Sequence, residues 1–277
     1  MSDTFHAAFA ETLLLEGPDA ATFAQGQFAS DVHSLVPGQW QFSAWLNPQG
    51  RVRALFHLAR LEGDRWLLIL RGGAAVTLRQ ELQRYVFRLK LTLRSDSSYR
   101  IRGGAAMPLH EVRASDGLIR LGCGDHALQL ATMEPGETGP DDHDNAWQLA
   151  QLRAGWPWLP DAALGTFLAP SLSLHRLGAV ALDKGCYPGQ EIVARLHYRG
   201  GNKRRLCHLR RPTQQVLTGA GNSGMAEHGS QLLQSVQVDA TTEALAICES
   251  ALLEALDASG TIGHDNATYC VVASFPD

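Results

Sequence analysis

The chain has 277 residues, 45% of them hydrophobic and 19% charged, with a formal net charge of −4 and a pI near 6.2. Such a composition is that of a globular protein with a sizeable core, in one large domain or two to three small ones, and it is not basic enough for bulk electrostatics to point to nucleic acid. Five widely spaced cysteines (Cys123, Cys186, Cys207, Cys248, Cys270) without a CxxC exclude a zinc ribbon, a thioredoxin motif and a disulfide scaffold, and suit a reducing compartment.

The segment Met1–Glu16 has no basic start and no long apolar stretch, and Asp3 and Glu11 argue against a secretory signal. No apolar run approaches the ~20 residues that span a bilayer, so a cytoplasmic protein without membrane contact is expected. Thr12–Leu15 reads as a strand, and Gly17-Pro18-Asp19 as a turn that starts a helix carrying Ala20, Phe23, Ala24 and Phe28 at helical spacing. Trp40–Asn47, Val52–Ala59 and Arg65–Leu70 read as a β-meander, turned at Pro48-Gln49-Gly50 and Glu62-Gly63-Asp64. Leu78, Leu82, Tyr85, Val86 and Leu89 predict one amphipathic helix with Arg79, Arg84 and Arg88 on its solvated faces.

Further along, Leu118–Leu121 and Ala127–Ala131 are strand-like, and Glu134–Asn145 is a Pro/Gly/acid-rich loop. Trp147–Ala154 predicts a helix stopped by Gly155 and Pro157. Gln190–Tyr198 predicts another, with Pro188 at its first position and Gly200 as its stop. After Asn202 the pattern is β-rich, with Leu245–Leu256 open between helix and strand. There is no internal repeat. The expected fold class is α+β, with residues 1–201 as two interleaved α+β subdomains and residues 202–277 as a small β-rich domain.

Chemistry concentrates in Lys184-Gly185-Cys186-Tyr187-Pro188-Gly189-Gln190-Glu191. A cysteine ahead of a helix, with Lys184 two residues away, has two influences that favour its thiolate. Gly185 and Gly189 would let a ligand approach the backbone, and Glu191 can reach Arg195 at i+4. Residue physics alone leaves two readings open: a reactive thiol, or a buried inert cysteine in a Gly/Pro turn.

From Lys184 to Arg211 there are eight Lys or Arg against one acid, Glu191, a local charge of about +7. The basic part from Arg199 to Arg211 has three readings: a solvated surface, a site for the glutamate tail of folate, or a site for RNA phosphates. Gly219–Gly224 fits GxGxxG with Asp239 twenty residues past its first glycine, but no strand and helix frame it, so it reads as a loop. The eleven histidines form no HExxH. Adjacent Cys207-His208 would point to opposite faces of a strand, so no metal site is expected. Trp156 and Trp158 read as core or cover before they read as a stacking platform.

The octapeptide resembles the signature K-G-C-Y-x-G-Q-E of the YgfZ family, relatives of the glycine-cleavage T-protein, and every specified position matches. The resemblance continues through Ile192-Val193-Ala194-Arg195 and Arg199-Gly200-Gly201-Asn202-Lys203-Arg204. Gln25–Val32 looks like the family's G-Q-x-T-x-D-V element, and Asn47–Gly50 like its strand–turn–strand. The resemblance implies a T-protein-like ring of α+β subdomains around a folate-binding opening, with a small C-terminal β-barrel-like domain. It implies a tetrahydrofolate-binding accessory protein that supports iron–sulfur enzymes or their assembly, including tRNA methylthiolation. Cys186 would be the functional thiol and a contact for a cluster. Lys184 would tune it, and Gly185, Tyr187, Gly189, Gln190, Glu191 and Arg195 would shape its loop. Arg199, Asn202, Lys203, Arg204 and Arg205 would meet the folate tail.

Two departures qualify the resemblance. The T-protein's acidic pair falls here on Ala54 and Leu55, and a transfer from an aminomethyl donor needs a carboxylate near the reacting nitrogen. A one-carbon transferase is therefore the alternative reading, and an RNA-binding accessory module over Arg199–Arg211 a third. The family's F-x-P-Q-x-x-N-L also becomes Phe167-Leu168-Ala169-Pro170-Ser171-Leu172-Ser173-Leu174, without its Gln and Asn.

Overall fold

Strand β1 (Phe9–Glu16) buries both of its faces, and the N-terminal half is built around it. The computed structural model describes residues 9–115, 117–132, 145–212, 229–256, 260–264 and 267–277. After β1 come α1 (Ala20–Gln27), β2 (Gln39–Leu46), β3 (Val52–Arg60), β4 (Arg65–Leu70) and α2 (Ala75–Gln83). They are followed by β5 (Thr92–Gly104), β6 (Val112–Ser115), β7 (Leu118–Gly122) and β8 (Ala127–Thr132). The eight strands form one antiparallel sheet, ordered β2-β3-β4-β1-β5-β8-β7-β6.

Side chains alternate across a strand with period two, which sorts the apolar runs between two cores. Leu13, Leu15, Phe56, Leu58, Trp66 and Leu68 face α1 and α2 in one core. Leu14, Leu55, Leu67 and Ile69 face the opposite way into the main core. The sheet curls until its two edges meet at one corner: Gln39 bridges Glu111, the Trp40 N–H donates to the His110 carbonyl at 2.8 Å, and the Val112 N–H to the Gly38 carbonyl at 2.7 Å. The Trp40 indole N–H crosses the concave side to the Gly122 carbonyl at 2.8 Å.

The remaining elements are α3 (Ala146–Arg153), α4 (Gln190–Arg199), β9 (Arg204–Pro212), β10 (Ser230–Val238) and β11 (Thr241–Glu249), then α5 (Ser250–Glu254), β12 (Thr261–His264) and β13 (Ala267–Phe275). The five strands make a second antiparallel sheet, β10-β11-β9-β13-β12. One face supplies Leu206, Leu245 and Ile247 to the main core, beside Trp147, Trp158 and Phe167. The other holds Cys207, Leu209, Ala244, Ala246 and Cys248 in a third cluster. The fold is α+β, as expected.

The structure corrects several expectations. The helix predicted through Leu89 ends at Gln83; Val86 and Leu89 still pack on the core, but from a loop in which Arg88 has φ +59°. Pro188 does not begin α4, because Gly189 adopts φ +80° and the helix starts at Gln190. Gly200 does end it, its N–H donating to the Leu196 carbonyl at 2.9 Å. Leu245–Leu256 is strand to Glu249 and helix from Ser250. Strands β5 and β6 were not anticipated. Asp239, with φ +49°, turns the β10–β11 hairpin. The GxGxxG segment, the loop before Asn145 and residues 1–8 lie outside the described residues. No described helix is long and apolar enough to cross a membrane.

Candidate functional site

The loop Lys184–Gly189 lies between the end of α1 and the β2–β3 turn, and three side chains set its shape. Lys184 Nζ donates to the Phe28 carbonyl at 2.6 Å and the Ser30 carbonyl at 2.7 Å, and lies 5.1 Å from the centre of the Tyr187 ring. Burial lowers this ammonium to a pKa of about 8. Tyr187 is buried, its hydroxyl donates to the Ala181 carbonyl at 2.8 Å, and burial pushes its phenol up to about 12. Gln190 Nε2 donates to the Lys184 carbonyl at 3.1 Å, tying the end of the loop to its start.

Gly189 is where the loop rests on the turn after β2. A Cβ there would meet the Asn47 carbonyl oxygen at 2.5 Å and the Gly50 Cα at 2.9 Å. Gly185 is different: a Cβ there would meet nothing within 4 Å. Held between these anchors, Cys186 is exposed, as is Cys270, whereas Cys123, Cys207 and Cys248 are buried. The inert-buried reading of Cys186 is therefore wrong on burial.

Both influences assigned to the thiol from sequence are weakened. The helix begins four residues beyond Cys186, and the influence of a helix dipole fades within a turn. Lys184 is hydrogen-bonded to two backbone carbonyls. Among the described residues no ion pair joins Glu191 and Arg195.

On the other side of the Asn47–Arg51 turn is a cleft of about 720 Å³, lined by Arg51, Ser171, Asn202, Lys203, Arg204 and Arg205 and also by Glu249 and Glu254; Glu249 lies beside Arg204 on the neighbouring strand and pairs with it at 4.0 Å. Arg51 is fixed by its backbone N–H to Asn47 Oδ1 at 2.9 Å and by its guanidinium to the Thr166 carbonyl. Asn202 donates to the Arg204 carbonyl at 2.8 Å and accepts from the Ser171 hydroxyl at 3.0 Å. The basic run is thus divided. Asn202–Arg205 face the cleft and Arg199, at the exposed end of α4, does not line it. Arg210 reaches Glu243 at 3.3 Å, and Arg211 is buried with its guanidinium 5.3 Å from the Tyr269 ring. Of the basic run from Arg199 to Arg211, the Arg211 end is therefore not part of the exposed surface.

No family model matches the chain. A tRNA-modifying protein YgfZ of Edwardsiella ictaluri is 29% identical over 230 residues, covering 73% of this chain and 69% of its own. An uncharacterized protein of Haemophilus influenzae is 28% identical over 212 residues, covering 73% and 71%. The tRNA-modifying protein YgfZ of Pectobacterium carotovorum is 28% identical over 230 residues, covering 72% and 68%. This chain is similar to the YgfZ proteins of several bacteria. The glycine cleavage system aminomethyltransferase T from Bartonella henselae superposes with a TM-score of 0.64 at 13% identity, covering 97% of this chain and 83% of that one. The architecture is therefore of the T-protein type, and together with the YgfZ relationship it supports a YgfZ-type role.

The two departures from the YgfZ pattern have structural accounts. The expected Gln falls on Pro170, and the next residue, Ser171, holds Asn202. Ser173, at the expected Asn, has φ +54°, a left-handed conformation that favours Asn among non-glycine residues, and its hydroxyl donates to the Phe275 carbonyl at 2.8 Å. Both serines tie segments of the fold together. Ala54 and Leu55 are buried in β3, with no carboxylate at either position.

Sequence reasoning missed Arg51, which tertiary structure brings to the basic wall, and Arg71. Arg71 is fully buried and has no carboxylate partner among the described residues. It donates to the Pro157 and Trp156 carbonyls, to Gln151 Oε1 and to His57 Nε2 at 2.7–2.9 Å, and lies 4.4 Å from the Trp158 ring. Burial lowers its pKa to about 9 and, with Arg71 beside it, keeps His57 neutral. Trp156 and Trp158 therefore cover a buried cation. The only sequence signal, Arg71-Gly72-Gly73, reads as a turn.

Proposed function

We propose that this chain is a tetrahydrofolate-binding accessory protein that supports iron–sulfur enzymes, including those that methylthiolate tRNA, with Cys186 as its working thiol. The observation that carries this reading is an exposed cysteine on a loop held by Lys184, Tyr187 and Gln190, within a motif that matches the YgfZ signature. A second observation supports the ligand. The cleft falls within the range of small-molecule sites, about 300–1,000 Å³, and Arg51, Lys203 and Arg205, with Arg204 shared with Glu249, suit the carboxylates of a glutamate tail. Asn202 and Ser171 line the cleft with them and order that wall.

A resident iron–sulfur cluster does not fit the described residues. Such clusters take about four thiolates, and no group of three His, Cys, Asp or Glu is placed to share an ion. Cys186 would act on a cluster held by a client protein. The buried apolar side chains at positions 54 and 55 weigh against aminomethyl transfer.

The test is genetic rescue of cells lacking a YgfZ-type protein, scored by methylthiolated tRNA nucleosides. Rescue by this chain and failure of Cys186→Ala support the reading; full rescue by Cys186→Ala overturns the role of the thiol. Tetrahydrofolate titration tests the cleft: Arg205→Ala should weaken the polyglutamylated form more than the monoglutamylated one.

A further inference from the structure

The segment that follows α2 carries an arrangement that neither the thiol loop nor the cleft uses. In Arg84-Tyr85-Val86-Phe87-Arg88-Leu89-Lys90 two residues point inward, Val86 and Leu89, and pack on the core beneath α1 and α2. The others point out. Phe87 is 73% exposed and Tyr85 51% exposed, and Arg84, Arg88 and Lys90 are exposed beside them. A phenyl ring this open buries little of its surface in the fold, and exposed rings grouped together and rimmed by polar residues mark interaction sites.

The segment is held in place. The Lys90 N–H donates to Asp19 Oδ2 at 2.6 Å, and a Cβ on Gly17 would lie 2.3 Å from the Lys90 carbonyl oxygen. Arg88 takes the left-handed conformation, and its guanidinium lies 5.0 Å from the Phe87 ring. The nearby acids are engaged: Glu81 pairs with Arg53 and Asp19 accepts from the Lys90 backbone. Among the described residues no carboxylate pairs with Arg84, Arg88 or Lys90. The surface thus presents the open Phe87 ring and the half-exposed Tyr85 ring, whose centre lies 6.4 Å from that of Trp45 in an edge contact, among three cations without a paired carboxylate among the described residues, on a molecule whose net charge is negative.

We propose that this surface binds single-stranded RNA, with bases stacking on Phe87 and Tyr85 and phosphates meeting Arg84, Arg88 and Lys90. Open rings interleaved with cations are the elements of single-strand recognition, and three cations with no carboxylate paired to them among the described residues favour a polyanion over a mixed-charge protein face. This goes beyond the folate reading and does not depend on it.

The experiment is fluorescence anisotropy with the full chain and a labelled oligouridylate of about twelve nucleotides, against a duplex of equal length. The single strand should bind more tightly than the duplex, and Phe87→Ala and Tyr85→Ala should each weaken it by about fivefold or more. Arg88→Asn, which tolerates the left-handed backbone, should reduce the slope of log affinity against log salt by about 0.7. Unchanged thermal melting would show that the variants are folded. No binding by the wild type, equal binding of the duplex, or affinity indifferent to Phe87 would overturn the proposal. So would a dimer that Phe87→Ala dissociates, because the ring would then belong to a second copy of the chain.

Discussion

Gly189 lies against Gly50 so closely that a Cβ at position 189 would meet the Gly50 Cα at 2.9 Å and the Asn47 carbonyl oxygen at 2.5 Å. This contact joins the thiol loop to the turn that carries Arg51 to the cleft. It also separates the two glycines of the motif. Gly189→Ala adds a backbone clash to a left-handed φ of +80° and should lower stability by about 2 kcal/mol or more. Gly185 has neither constraint, and Gly185→Ala should stay within about 0.5 kcal/mol of wild type. Urea unfolding midpoints of the two variants give the comparison.

Thiol accessibility offers a direct check of the site. Iodoacetamide under native conditions should modify Cys186 and Cys270 and spare Cys123, Cys207 and Cys248, which are buried. Mass spectrometry of the digest reads the pattern. For Cys123 burial also pushes the thiol up to about 12, so it should remain unreactive until the chain unfolds. Early labelling of Cys123 would contradict the packing around Arg71.

Arg71 serves four acceptors from a fully buried position. Arg71→Met keeps much of the volume but strands two backbone carbonyls, and should cost about 3 kcal/mol. Arg71→Lys should recover little, because an ammonium cannot reproduce the planar fork that reaches Pro157, Trp156, Gln151 and His57 together. Thermal denaturation of both variants decides it: a lysine variant as stable as wild type would show that charge, not geometry, is what the site needs.

These contacts also show what a sequence can carry. Strands β1 to β4 were legible because both of their faces are buried, so Leu13-Leu14-Leu15 and Trp66–Leu70 stand out as apolar runs. Strand β5 was not, since Arg94–Ser98 is polar and its place is set by pairing with β1, some eighty residues away in sequence. The periodicity through Val86 and Leu89 correctly marked core residues, but the helix ends at Gln83 and the chain runs on as turns and a loop with a left-handed Arg88 while those side chains pack on the core. In the motif the residue types were readable and their partners were not. Lys184 next to Cys186 suggests an influence on the thiol, and only the fold reveals that Phe28 and Ser30 accept its hydrogen bonds. Asn202–Arg205 were visible as a basic run, whereas Arg51 joins them through tertiary structure alone.

The joint between α3 and the second sheet should make the protein acid-sensitive. Glu243 is buried and accepts from Arg153 at 2.6 and 2.9 Å and from His208 at 2.8 Å, with Arg210 at 3.3 Å. The Arg153 hydrogen bonds lead in holding its carboxyl down at about 2, against about 4.3 in an unfolded chain. A depressed carboxyl stabilises the fold above its unfolded value, and that stabilisation is lost as pH falls through the folded one. His208 acts in the same direction: burial lowers its pKa, so the folded state resists protonating it and loses stability as pH drops below about 6.5. Stability should therefore decline from about pH 6 toward pH 2. Glu243→Gln should cost about 2 kcal/mol at neutral pH, and its curve should approach that of the wild type in acid, where the wild-type carboxyl is itself protonated. Urea titrations of both proteins across this range measure the gap. A gap that stays constant down to pH 2 would mean that Glu243 contributes through packing and not through its charge.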